Sequence, residues 1–328
     1  MNWLVVGQGA MGLLWYHHLQ QVKKIVHENE INKINALSLL ASKQQNLQQT
    51  HYQFTNLTNQ KHQGVVSYAQ SEQLHNADVV FLCLKSYHIA SALKDISARL
   101  KKDCTIILAH NGMGTLDNLP QEFISKHTIY ALLTTHGCLR NTQLNITHTG
   151  AGESSIGLIS EQTDADSTKE KVIVYTLNSA LSPVNLAYNI VEKQWLKLAI
   201  NCVINPITAL HNIDNGAVNN AKFTAQIFKL LTEITLIAKA KNITLITKEL
   251  QEKVQQVAIA TAKNCSSMRC DILENRPTEI DFINGYIHKL GLQYAIATPE
   301  NTKMWQAVLT SSALSKSKSK TDKSTAKN

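Results

Sequence analysis

A glycine-rich turn close to the N-terminus most constrains how this chain can fold. Residues 3–6 have the composition of a β-strand, and an apolar helical pattern covers residues 12–21. The pattern G-x-G-x-x-G lies between them and consists of Gly7, Gln8, Gly9, Ala10, Met11 and Gly12. A strand, this turn and a helix, in that order, are typical of a dinucleotide-binding βαβ unit. The motif alone is also compatible with a glycine turn that binds no nucleotide.

Each glycine of this motif has its own physical role. Gly7 permits a tight turn, Gly9 lets the backbone approach a pyrophosphate, and Gly12 lets the helix pack closely on the strand. A pyrophosphate would bind at the N-terminus of the helix, where free N–H groups and the helix dipole favour an anion. We therefore expect residues 7–12 to hold a dinucleotide.

Strand and helix patterns alternate through the first half of the chain. Strands are predicted over residues 3–6, 24–27, 79–84, 105–109 and 128–133, with helical stretches such as 87–100 between them. This alternation predicts an α/β fold with a mostly parallel, doubly wound sheet of the Rossmann type. Two further short strands, 145–149 and 154–159, predict an antiparallel extension at the sheet edge.

Helical periodicity dominates the second half. Helices are predicted over residues 192–203, 221–241, 248–263 and 279–290, with breaks at Asn205-Pro206, Asn215-Gly216 and Gly291. We predict a dinucleotide-binding domain over 1–185 and an all-α substrate and catalytic domain over 186–314. Ligands often bind in clefts between domains, so a cleft between these two is expected.

A lysine-rich tail carries half of the formal net charge of +8. Residues 315–328 contain five lysines and one aspartate. The tail is polar and of low complexity, so it cannot bury enough apolar surface to order itself. A nucleic-acid-binding arm is the alternative, but no aromatic residues interleave with the lysines to stack on bases. We therefore expect a disordered tail and no nucleic-acid partner.

Composition limits the location and the metal chemistry of the chain. No run of about 18 apolar residues is present, so no membrane span is expected, and we predict no signal peptide. The six cysteines form no C-x-x-C pair, which favours reduced thiols in a cytoplasmic enzyme. The 13 histidines lack the spacing of metal ligands, so no metal site is expected.

Three polar residues recur on one face of an otherwise apolar predicted helix. Lys197, Asn201 and Asn205 stand at positions i, i+4 and i+8. A buried polar group must find partners or it destabilises the fold, so this stripe indicates a site. A stripe that merely faces solvent is the alternative, although glutamates and lysines would be more typical of one.

Further candidates lie at strand and helix ends. Lys85 and Asn111 each follow a predicted strand, where ligands of α/β sheets bind. Ser267 lies at a helix break and could donate to a carboxylate, although such residues also cap helices. Glu279 could face a ligand, although a first-turn acid in a near capping box explains it equally well.

Taken together, the motifs of this chain resemble those of the ketopantoate reductase (2-dehydropantoate 2-reductase) family. The resemblance extends from residue 1 to about 310 and rests on residues 7–12, 84–86, 110–115, 195–206, 266–268 and 278–281. It implies NADPH-dependent reduction of 2-dehydropantoate to (R)-pantoate, a step toward pantothenate and coenzyme A. The oligomeric state, monomer or homodimer, stays open.

The resemblance also implies residue roles. Lys197 is expected to be the proton donor. Substrate binding is assigned to Asn111, Lys197, Asn201, Asn205, Asn215 and Ser267. Cofactor binding is assigned to Gly7, Gln8, Gly9, Ala10, Met11, Gly12, Lys85, Asn111, Cys138 and Glu279. Hydride addition to a carbonyl carbon builds negative charge on its oxygen, which a lysine ammonium can stabilise and protonate.

One departure from the family concerns the choice of cofactor. Members that use NADPH usually place an arginine just after the second strand, and none follows the strand predicted over 24–27. Glu28 stands about where an acid would bind the ribose 2′-hydroxyl of NAD. Asn29 and Lys33 could still receive a 2′-phosphate. The resemblance favours NADPH, and Glu28 leaves NADH possible.

Two other functions are compatible with these residues. The first is a reductase of the same fold that acts on a different 2-oxo acid. The second is a nucleotide-binding regulator without turnover, which would not need the polar stripe of Lys197, Asn201 and Asn205 together with Ser267.

Overall fold

The computed structural model describes residues 1–25, 33–42, 48–160 and 167–325, with side chains described except at residues 25, 118 and 314–325. The strands are β1 (Asn2–Val6), β2 (Ala36–Leu40), β3 (His51–Thr55), β4 (Lys61–Val65), β5 (Val79–Leu82), β6 (Thr105–Leu108), β7 (Thr128–Thr134), β8 (Gly137–Thr142), β9 (Asn145–Gly150), β10 (Ser154–Leu158) and β11 (Val184–Leu186).

Helices of both halves complete the description. They are α1 (Ala10–Ile25), α2 (Ser71–His75), α3 (Ser86–Ile96), α4 (Gln121–Lys126), α5 (Ser167–Ala180), α6 (Ile190–His211), α7 (Thr224–Ala240), α8 (Thr247–Ala260), α9 (Ser267–Leu273), α10 (Asn284–Gln293) and α11 (Pro299–Thr325). α11 extends into the segment 315–328 for which composition predicts disorder. Because the side chains from residue 314 onward and residues 326–328 lie outside the described part, the disordered tail stays a prediction.

The chain forms two compact units. The first comprises Met1–His110 and Thr115–Ile190, and the second comprises Asn111–Gly114 and Val191–Asn328. The main boundary between the two units therefore follows Ile190, whereas the sequence predicts it at residue 185. The short segment Asn111–Gly114 belongs to the second unit although it lies within the first half of the chain. The functional names given to the two predicted domains stay predictions.

A seven-stranded sheet forms the centre of the first unit. Its order is β11-β10-β7-β6-β5-β1-β2, and its strands are parallel except where β10 pairs antiparallel with β7. Side chains alternate across β1, so that Trp3 and Val5 join one apolar cluster while Leu4 and Val6 join another. A parallel sheet with both faces buried needs such continuous apolar strands. The predicted Rossmann-type architecture is thereby confirmed.

The second strand of this sheet is not the predicted one. Lys24 belongs to α1, and the strand that pairs in parallel with β1 is β2, Ala36–Leu40. The apolar face of α1 continues as far as the buried Val22, so the helix extends into the short apolar run that resembles a strand. Glu28 and Asn29 lie outside the described residues.

A second, four-stranded sheet in the first unit was not predicted. Its order is β4-β3-β9-β8. β9 pairs with β8 and β3 in this small sheet, so the prediction that residues 145–149 extend the large sheet is wrong. β10 does join the large sheet antiparallel to β7, but β11 and not β10 is the edge strand. β3 is mostly polar and shows only the alternating burial of Tyr52 and Phe54.

The second unit is helical around one apolar core, as predicted, but its first long helix does not break at Pro206. α6 continues to His211. Proline has no N–H, so it cannot donate to the carbonyl four residues earlier, which is that of Cys202. The Nδ2 of Asn284, on α10, donates to this carbonyl instead, at 3.0 Å. A side chain thus replaces the missing helical hydrogen bond, and the predicted break is wrong.

Candidate active site

The glycine turn between β1 and α1 has the geometry that its sequence requires. Gly7 has φ +114°, and a Cβ on it would lie 2.6 Å from the carbonyl oxygen of Cys83. A Cβ on Gly12 would collide with the carbonyl oxygen of Gly7, whereas one on Gly9 would meet nothing within 4 Å. The first and third glycines are therefore required by close packing, and the second leaves open space.

The residues between the glycines prepare this turn for a polar ligand. Ala10 and Met11 begin α1 and are partly buried. The side chain of Gln8 is buried, and its Oε1 accepts a hydrogen bond from the Tyr68 hydroxyl at 3.2 Å. Its Nε2 is buried without a hydrogen-bond partner among the described residues. A buried unsatisfied donor beside a helix N-terminus and open space fits the phosphate-bearing part of a dinucleotide.

Strand β8 of the second sheet contributes two side chains to the turn. The thiol of Cys138 lies 3.5 Å from the carbonyl oxygen of Ala10, and Nη1 of Arg140 donates to that of Gln8 at 3.2 Å. Burial raises the pKa of Cys138 to about 12, so its thiol stays neutral. Sequence reasoning missed Arg140. Side chains at i and i+2 share a strand face, so the position of Cys138 could have indicated it.

Lys85 lies at the start of α3, shortly after β5, the strand that pairs with β1. It is the N-cap residue of that helix and is partly buried. β5, which precedes it, pairs in parallel with β1, so their carboxyl ends meet at one sheet edge. The structure therefore places Lys85 and the glycine turn at the edge where ligands of such sheets bind.

Lys197 is partly buried on α6 in the second unit. Burial lowers the pKa of its ammonium to about 8, and the charge of Glu279 opposes this shift. Glu279 is 4% exposed, which favours the site reading over a solvated first-turn acid. A lysine whose pKa lies near neutral pH can donate a proton more readily than an ordinary one.

The segment Asn111–Gly114 contacts the part of the chain that carries Glu279. Asn111 Nδ2 donates to Glu279 Oε2 at 3.5 Å, and the Met113 amide donates to the Phe282 carbonyl at 2.9 Å. Gly112 has φ +81°, and a Cβ there would collide with the same carbonyl. The second unit thus groups Lys197, Glu279 and Asn111, which the sequence proposes separately.

The rest of the polar stripe continues along α6. Asn201 is partly buried and Asn205 is buried. One turn further, the Thr208 hydroxyl lies 2.7 Å from the Ser266 hydroxyl. Ser266 caps α9 and accepts from the Arg269 amide at 3.1 Å. The end of the stripe is thereby tied to the helix that begins at Ser267.

The two remaining candidates lie near this junction. Ser267 is exposed at the first position of α9, so the capping role belongs to its neighbour Ser266. Asn215 is buried, and its Nδ2 donates to the Thr261 hydroxyl at 3.0 Å. Its Oδ1 is buried without a partner in the described part of the chain.

Two further findings concern the described residues alone. Among them, no three histidine, cysteine or acidic side chains are arranged to hold a metal ion. None of the helices described combines the length and the apolar character that crossing a bilayer requires.

Comparison with known proteins gives a consistent family. The protein-family model described as ketopantoate reductase PanE/ApbA matches residues 3–161, and the family model for the C-terminal part of the same enzymes matches residues 189–311. The 2-dehydropantoate 2-reductase of Vibrio cholerae is 33% identical over 312 residues, which cover 94% of this chain and 97% of that protein. The enzyme of the same name from Escherichia coli O157:H7 is 33% identical over 235 residues, or 72% and 74% of the two chains.

Solved structures share the fold at lower identity. A ketopantoate reductase from Ralstonia eutropha is 22% identical with a TM-score of 0.80 and covers 96% of this chain and 100% of that one. D-mandelate dehydrogenase, solved with NADH and anilino(oxo)acetate, is 20% identical with a TM-score of 0.82 and the same coverage. The resemblance carried by the sequence motifs is thereby confirmed. The chain belongs to the ketopantoate reductase family of oxidoreductases.

Proposed function

We propose that this protein reduces 2-dehydropantoate to (R)-pantoate with NADPH, a step toward pantothenate and coenzyme A. The observation that best supports this proposal is the grouping of Lys197, Glu279 and Asn111 in the second unit, with the pKa of Lys197 lowered to about 8. The name of the Vibrio cholerae relative, which aligns over 94% of this chain, supports the choice of substrate.

Lys197 has two tasks in this reaction. When bound, a reduced nicotinamide supplies a hydride to the C2 carbonyl carbon of the substrate. The ammonium of Lys197 stabilises the negative charge that grows on the carbonyl oxygen and then donates its proton there. Glu279 favours the charged form of this lysine. Asn111, hydrogen-bonded to Glu279, orients the carboxylate.

Neutral side chains bind and orient the substrate in this proposal. Asn201, Asn205, Asn215 and Ser267 provide amide and hydroxyl groups for its carboxylate and its hydroxyl. The unpartnered Oδ1 of the buried Asn215 supports this assignment, because a hydroxyl could donate to it. Neutral donors hold the anionic substrate without placing a second positive charge beside Lys197, which would lower the pKa of its ammonium further.

The first unit supplies the cofactor residues. The N–H groups at the start of α1 and the unpartnered Nε2 of Gln8 are donors suited to phosphate oxygens. The open space beside Gly9 lets such a group approach the backbone. Lys85, at the same sheet edge, adds a positive charge.

The observed second strand favours NADPH over NADH. The residue that discriminates between them normally follows the second strand of the sheet. That strand is β2, which is followed by Ala41 and the exposed Ser42. No carboxylate stands directly after it to repel a 2′-phosphate, which supports NADPH in this proposal.

The cofactor proposal is tested by comparing kcat/KM for NADPH and NADH. We expect a preference for NADPH of at least about tenfold, equivalent to about 1.4 kcal/mol. Glu28→Gln should leave this ratio unchanged. A preference for NADH that the Glu28→Gln substitution removes would contradict the proposal and restore Glu28 as the discriminating residue.

The reaction itself is tested with purified full-length protein, 2-dehydropantoate and NADPH, by following the loss of reduced-nicotinamide absorbance. Pyruvate and 2-oxoisovalerate serve as competing substrates. We expect the highest kcat/KM with 2-dehydropantoate. Higher activity on either competitor would assign another 2-oxo acid, and NADPH binding without turnover of any of them would indicate a regulator.

A further inference from the structure

Two cysteines lie in contact beside the substrate-binding residues, and the proposed reaction uses neither. The Sγ of Cys270, on α9, lies 2.7 Å from the Sγ of Cys265. Cys265 is exposed in the loop that precedes α9, and Cys270 is partly buried. Bonded disulfide sulfurs are about 2.05 Å apart. A small movement of two side chains would therefore bring these thiols to bonding distance.

The surroundings of the pair differ from those of the other cysteines. Cys83, Cys104 and Cys202 are buried in the apolar cores, where an oxidant in solution does not reach them. Cys138 is partly buried, and its thiol lies against the carbonyl oxygen of Ala10. Cys265 is exposed and has its partner thiol within contact, which is the arrangement of an attacking and a resolving cysteine.

We propose that Cys265 and Cys270 are a redox modification site, at which a reversible disulfide forms and lowers the reductase activity. The oxidant belongs to the class of small-molecule disulfides, of which glutathione disulfide is the test compound. The modification follows from the thiol geometry alone, whereas its effect on activity rests on the proposed function.

The two steps balance without any further reactant. The Cys265 thiolate attacks one sulfur of glutathione disulfide, so that a mixed disulfide forms and one glutathione thiolate leaves. The Cys270 sulfur then attacks Cys265, releases its proton to solvent and expels the second glutathione thiolate. Two protein thiols are oxidised, and one small disulfide is reduced to two thiols. Burial raises the pKa of Cys270 to about 12, so Cys265 is the better initial nucleophile.

The bridge would enclose the N-terminal turn of α9. Between the two cysteines lie Ser266 and the substrate-binding candidate Ser267. Ser266 contacts Thr208 of α6 at 2.7 Å, so the turn is tied to the end of the polar stripe. Because the two side chains need to move only slightly, the bridge would fix this turn in place, and Ser267 would lose the freedom to adjust to the substrate.

A second contact connects the same turn to Asn215. Arg269 Nε donates to Asn212 Oδ1 at 2.9 Å, and its Nη1 forms an ion pair with Asp214. Arg269 therefore holds α9 to the residues that immediately precede Asn215. Because both attachments start from the bridged turn, we expect oxidation to affect substrate binding more than cofactor binding.

The modification is tested on the full-length protein in glutathione buffers of graded ratio. Trypsin cleaves after Lys263 and Arg269, so the bridge joins peptide 264–269 to the peptide that begins at Cys270. We expect this cross-linked pair and an intact mass lower by about 2 Da, both reversed by dithiothreitol. Cys265→Ser and Cys270→Ser should each abolish the pair, and Cys104→Ser, as the control, should retain it.

Activity provides the second readout. We expect the oxidised protein to have a KM for 2-dehydropantoate raised at least about fivefold, with NADPH affinity changed by less than twofold. Absence of the cross-linked pair at every ratio, or its formation in Cys265→Ser, would overturn the site. A bridged enzyme with unchanged kinetics would overturn the effect on activity. A bridge in a protein whose reduced form has no reductase activity would overturn the proposed function but not the modification.

Discussion

At the residue scale, Lys197 experiences two opposing influences. Burial lowers its pKa, and the neighbouring Glu279 raises it, with a resulting value of about 8. The protonated form is the one that can donate to a carbonyl oxygen. It predominates below this pKa and disappears as the pH rises through it.

The pH dependence of turnover follows from this loss of the protonated lysine at high pH. We expect kcat for 2-dehydropantoate reduction to fall about tenfold per pH unit above roughly pH 8, measured in buffers of constant ionic strength. Glu279→Gln removes the charge that favours the ammonium, so its falling limb should lie at lower pH. A limb that stays in place in this variant would show that Glu279 does not act on Lys197.

Lys197 itself can be tested against a lysine of the same helix. Lys197→Ala should lower kcat by about 100-fold or more, because the variant lacks both the positive charge and the proton. Lys193→Ala, at an exposed position on α6, is the matched control and should stay within about twofold of the parent. Near-normal turnover of Lys197→Ala would remove this residue from the mechanism.

Sequence patterns identify these side chains but not their partners. The spacing of Lys197, Asn201 and Asn205 reveals a shared helical face. Glu279, by contrast, has the same local pattern as an ordinary capping acid, and only its burial and its bond to Asn111 separate the two readings. The contact of Arg140 with the glycine turn depends on the approach of a second sheet, so only its position two residues from Cys138 could have indicated it.

At the element scale, α6 depends on a residue from another helix. Pro206 leaves the carbonyl of Cys202 without its helical donor, and Asn284 supplies one. The same Asn284 side chain donates to Asn301 Oδ1 at 3.0 Å. α6 can therefore carry its polar stripe past the proline as one continuous helix.

This repair predicts a specific pattern of stability changes. Asn284→Ala should lower the free energy of unfolding by about 1–3 kcal/mol, because it leaves a buried carbonyl unsatisfied. In the Pro206→Ala background the restored N–H can bond to Cys202, so the same substitution should cost less. Urea unfolding of the four proteins measures the difference. An equal loss of unfolding free energy in both backgrounds would contradict the role of Asn284 as the replacement donor to the Cys202 carbonyl.

Elements were predictable where a local period was sufficient. The strands β1, β5, β6 and β7 and the helices α7 and α8 follow from apolar runs or periodic faces. The true second strand was missed because α1 continues into an apolar run of the same composition. β3 and β4 were not predicted because their largely polar residues show little alternation of apolar and polar side chains. A helix break was predicted at Pro206 because proline usually ends a helix, and the donor that replaces its missing N–H comes from a distant helix.

At the scale of the whole molecule, the two units are interleaved in sequence. Asn111–Gly114 follows β6 of the first unit but belongs to the second. Two halves could be predicted from the change in periodicity near residue 185. The reassignment of four internal residues could not, because it depends on hydrogen bonds to Phe282 and Glu279 that are distant in sequence.

A truncated chain tests this interleaving. In a fragment of residues 1–190, the Met113 amide has lost the Phe282 carbonyl to which it donates. We expect this amide to exchange with deuterium at least about tenfold faster in the fragment than in the full chain. The amide of Ile107, inside β6, is the internal control and should exchange slowly in both. Equal protection of Met113 in both proteins would show that its order is intrinsic to the first unit.

Anyone recombining such enzymes would meet this interleaving as a compatibility problem. A chimaera joined only after Ile190 would combine one parent's Gly112 with the other parent's Phe282, at a place where even a methyl group collides with the backbone. Viable exchanges of the helical half should therefore also transplant the tetrapeptide Asn111–Gly114, as a graft at a second and distant point in the gene.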